Sequence, residues 1–241
     1  MTITELSPAD NAWRPIASPL GAFSFLPLRT PWLTEADDLL EALAAHLPPV
    51  RQGDTVVVSE KVAVLLTGRS VPIHAARPGR LATALARRVR PRQGSRGLSV
   101  PEKMQYVLNT VGAPRLVVAA LVSAAMRPLG RHGDFYRIAG PVARDLDGGR
   151  PPYLDLLFPP LPPRDARELV GRLERALGAG VAIVDLNDFG GTIRATSPGA
   201  LPAADLLQVL AHNPLGQRST GTPFGVVRAS AAANDALKMT A

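Results

Sequence analysis

Two carboxylates and an amide follow an apolar run in the last third of the chain. The residues are Asp185, Asn187 and Asp188, and they lie between the stretch Val181–Val184 and a glycine pair. Carboxylate and amide oxygens at the end of a strand can bind a metal ion, or a metal ion that carries a phosphate. An Asx turn, in which the same side chains only hydrogen-bond nearby backbone, also explains them. The segment by itself leaves both interpretations open.

A second polar group follows another apolar run. The β-branched stretch Thr55–Val58 predicts a buried strand, and Ser59, Glu60 and Lys61 come directly after it. These residues are candidates for function, because polar side chains again appear where an apolar strand ends. Lys61 could equally be the ion-pair partner of Glu60 on the surface.

A third carboxylate group lies in a glycine turn. Asp145 and Asp147 stand between Arg144 and Arg150, with the flexible pair Gly148-Gly149 after Asp147. Glycine and charge together are typical of loops that approach a ligand.

The chain is basic, and the excess is almost entirely arginine. It has 241 residues with a formal net charge of +7, and its lysines are Lys61, Lys103 and Lys238. Arginine binds carboxylates and phosphates through two parallel hydrogen bonds, so a nucleotide or another anion is a suitable ligand. The densest run is Arg87–Arg96, which lacks the interleaved aromatic residues of nucleic-acid sites. We interpret it as a solvated basic face or a phosphate-steering rim, with nucleic-acid binding as the weaker alternative.

Several classes of site and location are excluded or disfavoured. The absence of cysteine excludes disulfides, thiolate zinc sites and a cysteine nucleophile. The four histidines lie far apart and show no metal-ligand spacing. The longest apolar stretch, Leu116–Met126, is shorter than the ~20 residues of a membrane-spanning helix. No signal-peptide pattern opens the chain, so we expect a soluble cytoplasmic protein without a membrane partner.

Strands and helices alternate along the chain, which predicts a mixed α/β or α+β class. A leucine stripe from Leu39 to Leu47 predicts a helix, and so do residues 165–177, which Gly178 ends. A further helix is expected over 202–210, and residues 114–126 read as a strand leading into a buried helix.

The predicted domain organisation has three parts. Residues 1–20 lack periodicity and are expected to form a flexible arm, and residues 229–241 a flexible tail. Residues 21–228 are expected to form one domain.

The order of these motifs resembles the coenzyme F-420:L-glutamate ligase family, the gamma-glutamyl ligases of deazaflavin coenzyme biosynthesis. The likeness covers about residues 26–190. It is carried by Leu26-Pro27-Leu28-Arg29, which is expected in an N-terminal loop, by Gly53–Lys61 with Gly68-Arg69, by the Asp147 turn, by Leu156–Leu161, and by Val184-Asp185. Four segments resemble more closely a divergent bacterial, ligase-like branch; they are Ser59–Lys61, Phe135–Gly140, Asp185–Asp188 and Asn213–Gln217.

The resemblance implies a nucleotide- and metal-dependent amide ligase. Such an enzyme uses GTP, or ATP, with Mg²⁺ or Mn²⁺ to convert a substrate carboxylate to an acyl phosphate, which an amino acid or amine then attacks. K⁺ is a further candidate ion. The implied fold is a gamma-glutamyl-ligase-like α+β fold that forms an intertwined homodimer.

The resemblance also implies roles for particular residues. Asp147 and Asp185 would bind the metal, and we predict Asp188 as a further metal ligand. We also predict Lys61 and Asp185 as catalytic residues. The substrate would contact Asn187, Asn213 and Gln217. The implied nucleotide contacts are Leu26 and Leu28, with Arg29, Glu60, Lys61 and Arg150.

A non-catalytic alternative shares the same fold. The family has a lysine where this chain has Leu65, and its C-terminal part is longer than the one here. These departures motivate a nucleotide- or anion-binding regulatory protein without turnover.

Overall fold

The chain folds as a mixed α+β protein made of two compact units. The computed structural model describes residues 11–90, 96–187, 190–216 and 221–230. Unit 1 comprises Met1–Gly68 and Leu161–Ala241, and unit 2 comprises Arg69–Pro160. Within the described residues there are nine α-helices and two sheets. One domain over residues 21–228 stays a prediction from the sequence.

Unit 1 is built on a six-stranded mixed sheet. In spatial order the strands are β1 (Arg14–Ser18), β2 (Gly21–Leu28), β9 (Phe224–Ala229), β3 (Thr55–Ser59), β7 (Gly180–Asn187) and β8 (Gly190–Thr196). Strands β3 and β7 are parallel, and every other neighbouring pair is antiparallel. Because β2 and β3 both run against β9, the strands β2, β3 and β7 all point the same way.

The two faces of this sheet are apolar, as expected for a sheet with helices on both sides. Strand β7 shows the alternation, since Ala182 and Val184 belong to one buried cluster whereas Val181 and Ile183 point to the opposite face. Helix α9 (Ala203–Val209) supplies Leu206 to that cluster. The described part of unit 1 has three further helices, which are α1 (Leu39–His46), α2 (Glu60–Leu66) and α8 (Pro163–Leu177).

Helix α8 shows why its residues form an amphipathic element. Its buried residues Ala166, Leu169, Val170 and Leu173 recur at helical spacing, and the helix packs against β7 and β8. Gly178 ends the helix in the left-handed conformation, with φ of 69°, as predicted.

Unit 2 is mainly helical with a small sheet. Its strands lie in the order β4 (Val71–Pro72), β6 (Leu156–Phe158) and β5 (Asp147–Gly148), and both pairs are antiparallel. Its helices are α3 (Arg80–Ala86), α4 (Pro101–Val111), α5 (Ala113–Met126), α6 (Asp134–Ala139) and α7 (Pro141–Asp145). Met104, Val107 and Leu116 are among the fully buried residues of its separate core.

Three expectations from the sequence are wrong at the level of elements. Residues 14–18 of the expected arm form β1, which pairs with β2. The segment Leu26–Arg29, expected in a loop, contributes its first three residues to β2. Residues 114–126 belong entirely to α5, because Gly112 at φ of 93° ends α4 and Pro114 suits the first turn of the next helix.

No single helix in the described ranges is long and apolar enough to cross a membrane. Helix α4 and the segment Ala113–Leu129 reach the required length and apolar composition only when they are taken together, and this pair is bent by 116°.

Candidate functional site

The carboxyl ends of three strands in unit 1 bring several of the predicted residues to one edge of the sheet. Leu28 and Val58 both pair with Phe224, and Ser59 pairs with Val184. The residues that follow in the same rows are Arg29, Glu60 and Asp185, with Lys61 and Asn187 just beyond. Ligands of open α/β sheets commonly bind outside the carboxyl ends of parallel strands.

A β-bulge adds an arginine, Arg194, that none of the sequence motifs indicated. Ile183 pairs with Ala195 and Val184 pairs with Ile193, so Arg194 on β8 is the extra residue. A bulge re-aims the side chain at the irregular position. Here it brings Arg194 to the carboxylates of the two neighbouring strand ends.

These side chains form a group that we call the sheet-edge cluster, made of Glu60, Asp185 and Arg194. Nε of Arg194 donates to Oε2 of Glu60 at 2.7 Å, and Nη2 of Arg194 lies 3.7 Å from Oδ2 of Asp185. The other Glu60 oxygen, Oε1, accepts a hydrogen bond from the backbone N–H of Leu161 at 2.9 Å. One guanidinium thus lies between two carboxylates.

Burial differs sharply within the cluster. The side chains of Glu60 and Arg194 are 7% and 10% exposed, whereas that of Asp185 is 30% exposed. Burial raises the pKa of Glu60 above its ordinary value, and the negative charge of Asp185 adds to this effect. Hydrogen bonds from Arg194 and Leu161 lower the pKa of Glu60 but do not outweigh burial. Asp185 is therefore the carboxylate of the cluster that a ligand can reach.

Within the sheet-edge cluster, the carboxylate that is accessible to a metal ion is that of Asp185. Among the described residues, no three histidine, aspartate or glutamate side chains come together in a way that could hold a metal ion. Asp188 lies outside the described residues, so the set of Asp147, Asp185 and Asp188 stays a prediction. Mg²⁺ that is bound together with a phosphate needs only one or two protein carboxylates, and Asp185 fits that smaller requirement.

Four other predicted residues lie in β2, directly after β2 or at the start of α2, and they differ in exposure. Lys61 is half-buried in the first turn of α2. Arg29 is half-buried, and its backbone N–H donates to Oδ1 of Asn11 at 3.0 Å. Leu26 and Leu28 are 5% and 1% exposed, so their side chains pack in the core of unit 1.

Asp147 and Arg150 belong to unit 2. Asp147 is half-buried at the start of β5, where it pairs with Phe158, and Arg150 is exposed. A neighbour of Gly148 that the sequence patterns did not indicate is Lys103 on α4, which is 8% exposed. A Cβ on Gly148 would lie 2.9 Å from Cε and 3.1 Å from Nζ of Lys103, so glycine permits this approach. The position of Lys103 four residues before buried Val107 places it on the same side of α4, which is a signal of burial in the sequence.

The predicted substrate residues are partly described. Asn187 is exposed at the end of β7. Asn213 is 6% exposed at φ of 47°, and its Nδ2 donates to the carbonyl of Gly216 at 3.3 Å, which is a turn-stabilising contact. Asp188 and Gln217 lie outside the described residues.

No protein-family model matches the chain, and no curated protein matches it.

Proposed function

We propose that the protein is a nucleotide- and divalent-metal-dependent amide ligase that joins a carboxylate substrate to an amino acid or amine through an acyl phosphate. The sheet-edge cluster is the observation that carries this proposal. It supplies an accessible carboxylate, Asp185, beside the guanidinium of Arg194 at the carboxyl ends of parallel strands. This is a suitable environment for a phosphate and the cation that accompanies it.

The charges around the edge fit the transfer of a phosphoryl group. Arg29 and Lys61 lie at the ends of β2 and β3, and their positive charge can offset the negative charge that develops on the transferred group. Asp185 would hold Mg²⁺ or Mn²⁺, which acts as a Lewis acid toward phosphate oxygens when bound. The metal role of Asp147 and the nucleotide role of Arg150 stay predictions of the family resemblance.

The resemblance extends the proposal to fold, assembly and pathway. The mixed α+β architecture would be the gamma-glutamyl-ligase-like fold, and the protein would act in the cytoplasm as an intertwined homodimer. GTP or ATP would be the co-substrate, and the deazaflavin coenzyme precursor with L-glutamate would be the first pair of substrates to test.

A second candidate is a nucleotide- or anion-binding protein of the same fold without turnover. The observation in its favour is that Glu60 and Asp185 both approach Arg194. Carboxylates also surround one guanidinium in ion-pair networks that have no catalytic role. The cluster therefore does not require turnover and is compatible with a protein that only binds its ligand.

Calorimetry with GTP and with ATP, each with Mg²⁺ or Mn²⁺, tests binding at Asp185. We expect Asp185→Asn to weaken the affinity for the metal–nucleotide complex by about tenfold, because it removes one charged ligand contact. Glu168→Gln is the matched control, since that side chain is 64% exposed on α8 and makes the same change in charge. Equal affinity of Asp185→Asn and the unaltered protein would contradict the proposal.

Turnover separates the two candidates. A ligase releases GDP or ADP only when both a carboxylate and an amine are present, and Asp185→Asn should abolish most of that release. Nucleotide binding without release in any combination of substrates favours the binding protein.

A further inference from the structure

Unit 2 contains a groove of about 460 Å³ whose charge is strongly one-sided. We call it the arginine groove, and we define it by six of its lining residues: Arg87, Arg88, Arg90, Arg127, Phe135 and Tyr136. The four arginines are exposed, and within the described part of the chain none of the lining residues carries a carboxylate. The groove therefore concentrates positive potential in a concave surface.

The carboxylate that is closest in sequence to the groove residues is hydrogen-bonded to other arginines. Asp134 precedes Phe135, and its side chain is 5% exposed. Its Oδ1 accepts hydrogen bonds from Nη2 of Arg131 at 3.2 Å and from Nη1 of Arg137 at 2.8 Å. Asp134 thus neutralises guanidinium groups that do not line the groove.

Helix ends explain the arginines only in part. Arg87 follows α3 and Arg127 follows α5, and cations are favourable at the C-termini of helices. Arg88 donates from Nη1 to the carbonyl of Ala84 at 3.0 Å, which is a contact of this kind. The helix ends do not require that four arginines face one groove, nor that aromatic side chains join them.

The floor and one wall of the groove are apolar. Met104 of the unit 2 core lines it, and Phe135 and Tyr136 pack edge to face with their ring centroids 5.4 Å apart. Both rings are half-buried, so part of each remains available to a ligand. Guanidinium groups bind phosphate through paired hydrogen bonds, whereas the rings offer surface to an apolar body.

We propose that the arginine groove binds an organic phosphate with an aromatic body of about mononucleotide size. The phosphate lies among the arginines, and the aromatic body lies against Phe135 and Tyr136. The volume is within the range of small-molecule pockets, roughly 300 to 1,000 Å³. This site lies within unit 2 and its ligand binding depends neither on a divalent metal nor on the sheet-edge cluster.

Calorimetry of the full chain with naphthyl phosphate, without nucleotide or divalent metal, tests the proposal. We expect naphthyl phosphate to bind at least tenfold more tightly than inorganic phosphate, and naphthol to bind more weakly than either. The double variant Arg87→Gln with Arg127→Gln should lower the affinity for naphthyl phosphate by at least tenfold. Arg164→Gln is the control, because that side chain is 84% exposed on α8 of unit 1.

A second variant tests the aromatic wall separately. Phe135→Leu keeps an apolar side chain at this position but should reduce the affinity for naphthyl phosphate toward that for inorganic phosphate. Circular dichroism and thermal unfolding establish that each variant is folded.

Three results overturn the proposal. They are no binding of naphthyl phosphate, equal binding by the double arginine variant and the Arg164→Gln control, and tighter binding of a short single-stranded RNA with a steep salt dependence. The last result would assign the groove to nucleic acid.

Discussion

Glu60 is held between two opposing influences on its charge. The side chain is 7% exposed, which favours the protonated form, whereas hydrogen bonds from Arg194 and from the backbone of Leu161 favour the carboxylate. Burial is the larger influence, so the pKa of Glu60 is raised. A carboxyl group of this kind at the edge of a proposed phosphate site is suited to hold or release a proton.

The raised pKa predicts how Glu60 affects stability across the pH range. At pH values between 4.5, the ordinary pKa, and the raised pKa, the folded state binds more protons at Glu60 than the unfolded state. The contribution of Glu60 to the free energy of unfolding is therefore complete below pH 4.5 and decreases as the pH rises through the raised pKa. We expect the unaltered protein to lose stability relative to Glu60→Gln over this interval. Urea unfolding of both proteins at a series of pH values measures the difference.

The control for this prediction is Glu168→Gln, an exposed glutamate on α8. Its stability difference from the unaltered protein should change little over the same interval. A difference for Glu60→Gln that grows in the opposite sense, in favour of the unaltered protein as the pH rises, would contradict the raised pKa.

At the scale of elements, Gly225 allows the central strand β9 to pack beneath an aromatic ring. A Cβ at this position would lie 2.3 Å from Cζ of Phe25, which is fully buried on β2. The ring cannot move without disturbing the core. The glycine therefore serves close packing inside the sheet rather than a turn.

Gly225→Ala should therefore destabilise the protein by about 1 to 3 kcal/mol, the usual range for overpacking a core. Gly171→Ala is the matched control, because a Cβ there meets only Nη1 of Arg175 at 3.7 Å in the middle of α8. Helix propensity predicts that this control gains about 0.5 to 1 kcal/mol. Chemical denaturation measures both values, and a neutral Gly225→Ala would show that Phe25 can yield.

Local signals decided which elements could be predicted from the sequence. The β-branched run Thr55–Val58 and the end of α8 at Gly178 carry their own signals, and both expectations are confirmed. The helix expected over 202–210 is also confirmed, as α9 with its caps. Strand β9 was not predicted, because its six residues include a glycine and carry a weak strand signal. Its position is fixed by pairing with β2 and β3, which are far away in the sequence.

The candidate site shows the same limit. The strand ends at Glu60 and Asp185 could be read from the sequence because polar residues follow apolar runs. Arg194 could not, since its partner Glu60 is 134 positions away and the bulge that presents it depends on the register of β7 and β8. Pairing register is a tertiary property, which no local pattern of residues determines.

At the scale of the whole molecule, the chain maintains two separate cores. It leaves unit 1 after Gly68 and returns to it at Leu161, so unit 2 is an insertion within the sequence of unit 1. Units with their own apolar cores can open with different free energies.

A core substitution in unit 2 should consequently act mainly on unit 2. Leu116 is fully buried there, and Leu116→Ala should lower the free energy of opening by about 2 to 5 kcal/mol. Hydrogen exchange read by mass spectrometry should show faster exchange in α4 and α5 and little change in β3 and β7. Equal acceleration in both units would mean that they unfold as one cooperative body.

The bulge at Arg194 also has a consequence for sequence comparison. It places one more residue on β8 than on the opposing segment of β7. A related chain whose hairpin lacks the bulge would be one residue shorter here, so a correct alignment must open a single-position gap at residue 194. Without that gap, every side chain before or after it would be matched to a residue on the opposite face of the sheet.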